Sequence, residues 1–360
     1  MKRYLIVSTY PEHGSKNIGD HLITQSLIKA IKHVKGEGAS FDVVFREEKW
    51  AVVEPLLEGC AGVVFACLAI RDNMAEKEYP FLAKVLERDI PISVIAAGTA
   101  VNLAGSKIAF NFTQQTIDLL RALDKRACVF TTRDYLTQTI CRRLGLTNTS
   151  FSGDIAFFSG SSGSRFDVNG AIRRIVVSDP HRHNIFKDSF CVVIRGLKQL
   201  FPGAEVVVAL HGVNPGVEET AKDLSVPFRR IYENRENGLD FYNDVDLHVG
   251  FRVHAHVSAL GRRKLSYLIE QDGRGAGYGL TINGRVSTPS FYRPPATIVD
   301  RVRRKIGMRA RDVGVSTVPA ELTLSLIEND RDSNFKKFLH LESQLNEFDQ
   351  NIIGSIAKIR

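Results

Sequence analysis

Short apolar runs alternate with amphipathic stretches along most of this chain, and that alternation limits the folds open to it. The run "RYLIVST" reads as a buried strand. A glycine-containing loop follows, then the helix "DHLITQSLIKAIKHV", whose Leu22, Ile23, Leu27, Ile28 and Ile31 recur at the helical period. Strands "SFDVVF", "GVVFAC", "ISVIAA" and "ACVFTT" then alternate with helices "EKEYPFLAKVLER", "FTQQTIDLLRALD" and "RDYLTQTICRRLG", the last closed by Gly145. After the small, polar stretch "SGSSGSRFDVNG" (159–170) the pattern restarts. Strands "IRRIVVSD", "AEVVVAL", "VDLHVG" and "KLSYLIE" are spaced by helices near 185–200, near 216–224 and after Val253. Strand–helix repetition of this kind predicts parallel sheets with helices on both faces.

The fold class expected is therefore α/β, with two doubly wound, Rossmann-like domains facing a cleft and a C-terminal helical tail. A chain of 360 residues suits two such domains. The boundaries read as 1–160 and 171–316, with a tail at 317–360 carrying two helical patterns and placed to cross back to the first domain. Ligands of open α/β sheets bind at the C-terminal ends of the strands, so the loops leaving those ends are where chemistry is sought.

Four such loops stand out. In "SKNIGDHL", Asn17 and Asp20 flank Gly19 just before a helix. Asp20 reads as an N-cap or, with Asn17, as a ligand contact that Gly19 lets the backbone approach. In "TTRDYL", Arg133 stands where a strand becomes a helix, a position suited to a phosphate or carboxylate; Asp134 reads as a helix-start residue. In "SFSGDIAFF", Gly153 and Asp154 form either a turn before a strand or a loop lining the cleft. In "GFRVHAHVSALG", Arg252 and His254 follow a strand that ends on Gly250. On a helix, residues 254 and 256 point roughly 200° apart. That spacing argues against a His-x-His metal site and leaves His256 to packing. Arg252 and His254 converge only if Arg252 lies at the strand-to-helix turn, where a cation and oriented N–H groups make an anion pocket. His181, His183 and His211 also follow strands of the second half.

Composition narrows the partners. The net charge of +8 admits anionic substrates, an anionic membrane surface or nucleic acid. The basic residues come as scattered pairs such as Arg142-Arg143 and Arg303-Arg304, without interleaved aromatics, so no nucleic-acid platform is expected. Five cysteines without a CxxC spacing read as reduced thiols. With no long apolar run and no secretory signal, the expected location is the cytoplasm. No metal and no cofactor are expected.

Taken in order, "NIGDHLI", "TTRDYLT", "SGDIAF", "FRVHAHVSALG" and "LSYLIEQDGRGAGYG" resemble the polysaccharide pyruvyl transferases, over roughly residues 5–282. That family pairs an Asn-x-Gly-Asp loop with a later Arg-Asp helix start, a Gly-Asp turn and an Arg-Leu-His segment. The resemblance implies a fold like the B-type glycosyltransferases (GT-B). It also implies transfer of the pyruvyl group of phosphoenolpyruvate onto two hydroxyls of a sugar, forming a ketal and releasing phosphate, in exopolysaccharide synthesis. By the same match Arg252 and His254 contact phosphoenolpyruvate, with Val253 at the leucine position; His254, an imidazole able to donate near neutral pH, is the expected general acid. Arg133 matches the earlier arginine, and Arg274 in "EQDGRG" stands where the family has a lysine. Asn17, Gly19, Asp20, Asp154, His211 and Arg274 complete the expected substrate contacts, with His211, His181 and Asp20 as candidates for the base. The basic surface and amphipathic tail are compatible with a lipid-linked acceptor at the inner face of a membrane, and a homo-oligomer is left open. The rival readings are a glycosyltransferase using a nucleotide-sugar donor and a non-catalytic saccharide-binding protein of the same fold.

Overall fold

The computed structural model describes residues 2–10, 17–101, 103–104, 107–108, 112–158, 165–290, 302 and 316–360. Two parallel sheets carry the chain. The first runs, edge to edge, through Ser40–Phe45, Arg3–Ser8, Gly62–Ala66, Ile92–Thr99, Ala127–Thr132 and Thr149–Phe151, with the short strand Ala69–Ile70 also paired to Ile92–Thr99. The second runs through Phe228–Arg230, Glu205–Leu210, Arg174–Ser178, Leu247–Gly250, Leu265–Glu270 and Ser287–Pro289. In each sheet the order reverses beside the first strand, so helices fall on both faces and a crevice opens at the C-terminal ends of the strands. The central strands Gly62–Ala66 and Leu265–Glu270 are buried along their whole length, as strands covered on both faces must be.

Most expected elements form. The helix read over "EKEYPFLAKVLER" does not. It is two short pieces, Met74–Lys77 and Leu82–Leu86, with Pro80 between them. Proline lacks the N–H that would join them. The stretch "DGRGAGYG" forms a helix, Gly273–Thr281, that periodicity did not show. Glycine is a poor helix former, but here its lack of a Cβ is used. A Cβ on Gly273 would lie 1.7 Å from the Val101 carbonyl oxygen, and one on Gly277 would lie 2.9 Å from the Asp134 carboxylate. The glycines thus let this helix of the second half lie directly on the first.

The tail forms helices Val318–Asp332 and Lys337–Ala357. The first packs on His183–Leu200 and the second on Ile18–Lys35. Phe348 of the second meets Phe151 and Phe157, and Lys35 Nζ donates to the Ala357 carbonyl at 2.8 Å. Gly153 has a φ of +85° and lies under Phe348, where a Cβ would come within 2.9 Å of the ring. One apolar core therefore runs from beneath the second sheet, through the tail, to the Ile18–Lys35 helix. Residues 159–164 of the linker stretch, residues 15 and 16 of the first loop and the Arg303-Arg304 pair lie outside the described residues.

Candidate active site

Three helices bring their N-terminal residues to the crevice, Ile18–Lys35 through Asn17, Val253–Gly261 through Arg252 and Gly273–Thr281 through Asp272 and Arg274, and Arg133 stands just before a fourth, Tyr135–Arg143. Their partially positive N–H ends favour an anion. Arg252 is the N-cap residue of Val253–Gly261 and sits in the extended region, as convergence with His254 requires; no side chain caps that helix. Residues 254 and 256 do diverge. His256 is buried against Ser266, while His254 faces the crevice.

Two adjoining pockets fill the crevice. One, of about 400 Å³, is lined mainly by the second half, including His181, His211, Arg252, His254 and Arg274, with Asn17 reaching in from the first. The other, of about 530 Å³, is lined mainly by the first half, including Asp20, Arg46, Arg71 and Arg133, again with His254 and Arg274. His254 and Arg274 thus belong to both. The His254 imidazole is buried, and its Nε2 has no hydrogen-bond partner. A buried ring nitrogen without a partner, on a residue that lines two pockets, calls for an explanation.

Each central arginine is oriented by a carboxylate. Arg252 donates Nε to Asp179 Oδ1 at 3.0 Å and Nη2 to Oδ2 at 2.5 Å. Arg274 pairs with Asp272 at 2.7 Å, and Arg133 with Asp134 at 3.3 Å. Burial alone would raise the Asp179 carboxyl, but Arg252 and the backbone N–H of His211 hold it below its usual range. Arg133 also donates to Cys67 Sγ at 3.3 Å and lies over the Tyr278 ring at 5.6 Å. Gly98 makes room for it, since a Cβ there would lie 2.2 Å from Arg133 Nε.

Several sequence expectations change here. Asn17, not Asp20, is the N-cap, its Oδ1 accepting the Gly19 N–H at 3.2 Å. The helix begins one turn earlier than its apolar period suggests, which puts Asp20 in the first turn. Gly19 is not open to a ligand: a Cβ there would lie 2.4 Å from His254 Nδ1, so the glycine makes room for the imidazole. Asp154 does not line either pocket. It is 0% exposed, caps the short helix Ile155–Phe157 and accepts the Tyr278 hydroxyl, tying the halves together. His183 bonds Thr220 at 2.9 Å and lines neither pocket. His211 reaches the pocket, but its Nε2 is 2.7 Å from the Tyr242 hydroxyl, and burial pushes its pKa down to about 3. That makes it a poor base.

Asp179 and Gln271 were missed. Asp179 follows strand "RIVVS" directly, so it sits at a strand end beside the one that carries Arg252. That adjacency is a property of the sheet order and not of any local pattern. Gln271 donates Nε2 to the Phe251 carbonyl at 2.6 Å and steadies the same turn. Among the described residues, no group of three or more His, Cys, Asp or Glu side chains is placed to hold a metal, and no helix is long and apolar enough to cross a membrane.

The histidines carry a stability consequence. Burial lowers the pKa of His211, His248, His254 and His256. Their folded-state values lie below the unfolded value of about 6.5, so the unfolded chain binds protons that the folded one refuses. Stability is then complete above that pH and falls as pH drops through it, by up to about 1.4 kcal/mol per pH unit per group. A melting temperature that declines steeply from pH 6.5 to 4.5 is expected in thermal scans; a level one contradicts buried neutral histidines.

The fold is shared with UDP-GlcNAc 2-epimerase from Neisseria meningitidis bound to UDP-GlcNAc, at 10% identity and a TM-score of 0.51, covering 94% of each chain. It is shared also with a putative UDP-N-acetylglucosamine 2-epimerase from Listeria monocytogenes, at 11% identity and a TM-score of 0.54, covering 94% of this chain and 91% of that one. Likenesses this distant establish the GT-B-like fold alone. No curated protein matches the chain at a significant level. A family model described as polysaccharide pyruvyl transferase matches residues 17–264, which takes in every loop of the site except the one carrying Arg274. The chain therefore belongs to the polysaccharide pyruvyl transferase family, and it is a transferase.

Proposed function

We propose that the enzyme moves the pyruvyl group of phosphoenolpyruvate onto two hydroxyls of a saccharide, forming a ketal and releasing phosphate. The observation that carries this reading is the placement of His254. His254 lines both pockets, with Arg252 and Arg274 in one and Arg133 and Arg274 in the other, and its buried Nε2 has no hydrogen-bond partner. A donor with both a carboxylate and a phosphate needs more than one cation, and the Arg252–Arg274 pocket supplies two beside helix N-termini. The saccharide takes the Arg133 pocket.

His254 gives its proton to the methylene carbon of phosphoenolpyruvate, leaving a cationic centre at C2. One sugar hydroxyl adds there and its proton passes to the now neutral imidazole or to Asp20, which lines the same pocket. The C2–O bond to phosphate breaks, the second hydroxyl closes the ketal at C2, and its proton leaves with the phosphate as hydrogen phosphate. The acceptor is a saccharide of cell-surface or exopolysaccharide synthesis, free or lipid-linked.

A pH profile follows. Burial lowers the pKa of His254; Asp154 and Asp20 raise it again, and Arg133 and Arg274 lower it. The free enzyme therefore holds too little of the protonated form at neutral pH, and kcat/KM for phosphoenolpyruvate rises as pH falls from 7.5 toward 6. A bound anion restores the proton, so kcat keeps its plateau to higher pH than kcat/KM. Coincident profiles contradict the assignment. The reaction itself is tested by phosphate release from phosphoenolpyruvate across a saccharide panel, with the product examined for a pyruvate ketal. Acceptor-dependent release supports the reading. Release that is acceptor-independent and yields free pyruvate contradicts it.

A further inference from the structure

Beneath the turn that presents Arg252 and His254 lies a buried chain of hydroxyls and imidazoles that the chemistry above does not use. Ser178 ends the strand Arg174–Ser178, His248 lies on the neighbouring strand, and Ser266 is its cross-strand partner on the next. His256 reaches them from the helix Val253–Gly261. Ser178 Oγ accepts the backbone N–H of Phe251 at 3.1 Å and of Arg252 at 3.2 Å, and lies 2.9 Å from His248 Nε2. Ser266 Oγ lies 2.7 Å from both His248 Nδ1 and His256 Nδ1.

A hydroxyl has one proton and two lone pairs. Two backbone N–H groups fill the lone pairs of Ser178, so its proton goes to His248 Nε2. Burial holds His248 neutral, which puts that ring's proton on Nδ1 and aims it at Ser266. Ser266 then gives its own proton to His256 Nδ1. His256 carries its proton on Nε2, the atom without a partner. The opposite choice at Ser266, accepting from both rings, would strand a hydroxyl proton as well.

We infer that Ser178 is a positioning residue for the anion site: its hydroxyl fixes the turn from which Arg252 and His254 project, and it sets the tautomers of His248 and His256. Gly250 belongs to the same device, because a Cβ there would lie 2.3 Å from Ser178 Oγ. The consequence for turnover rests on the functional reading above; the hydrogen-bond chain does not.

The experiment uses the full chain labelled with ¹⁵N, with ring signals assigned through His248→Gln and His256→Gln. At pH 7 His248 is protonated on Nδ1 only and His256 on Nε2 only, and the amides of Phe251 and Arg252 exchange slowly. In Ser178→Ala those two amides exchange at least about tenfold faster, and KM for phosphoenolpyruvate rises about tenfold to a hundredfold while kcat moves less. Ser266→Ala breaks the chain one link further on. It releases the His256 tautomer and leaves the two amides slow, which keeps the test open if Ser178→Ala does not fold. His248 protonated on Nε2, or unchanged exchange and KM in a folded Ser178→Ala, overturns the inference. A wild type with the stated tautomers that does not bind phosphoenolpyruvate leaves the chain in place and removes the functional reading instead.

Discussion

Replacing His254 with Gln lowers kcat by about two to four orders of magnitude, the usual contribution of a positioned proton donor, and leaves the fold and the donor affinity nearly unchanged. The second half of that expectation comes from the structure. His254 Nε2 has no hydrogen bond to lose, and the ring lies against Gly19, where an unbranched amide of similar reach fits without moving the helix Ile18–Lys35. The cations proposed to hold the donor, Arg252 and Arg274, touch other partners and stay where they are. Rate measurements beside calorimetric binding of phosphoenolpyruvate separate the two effects. A variant that turns over at the wild-type rate removes His254 from the chemistry. A variant that no longer binds the donor makes it a binding group.

Arg252→Ala has the larger effect on stability. It leaves Asp179, which is 0% exposed, without its bidentate partner. Breaking a buried pair from one side costs about 3–5 kcal/mol, because a charge is left uncompensated. Asp179 still accepts the backbone N–H of His211 at 3.0 Å and the Asn214 amide at 3.2 Å, which places the loss at the lower end, about 3 kcal/mol. Adding Asp179→Asn removes the stranded charge, so the double variant regains most of the stability. It does not regain donor binding, which needs the cation. Urea melts of the wild type and the two variants, with donor titrations beside them, check both halves. An unperturbed melt for Arg252→Ala would mean that the pair does not form in solution.

Much of the architecture was legible because parallel sheets write themselves as continuous apolar runs, and helices on both faces write the 3.6-residue period between them. The turn at "GFRVHAH" was legible for a related reason: a strand end, a glycine, and an arginine two residues before a histidine leave few arrangements. What stayed hidden was contact between distant segments. Nothing local in the sequence shows that Gly19, Gly98 and Gly250 each make room for one side chain, His254, Arg133 and Ser178 respectively. Asp154 looks like a cleft residue and is an internal tie to Tyr278. Asp179 orients the principal arginine from 73 residues away. The helix Gly273–Thr281 runs against propensity because its close packing on the first half outweighs the cost of its glycines.

The central claim is that the Arg252–Arg274 pocket is the seat of phosphoenolpyruvate. Isothermal calorimetry of the full chain with phosphoenolpyruvate tests it most directly, with UDP-GlcNAc titrated in parallel and Arg274→Ala as the variant. The account predicts one saturable site for phosphoenolpyruvate, weakened at least about tenfold when a charge-assisted contact is removed, and no competition by UDP-GlcNAc. Saturable binding of UDP-GlcNAc that displaces phosphoenolpyruvate, or donor binding indifferent to Arg274→Ala, would contradict it.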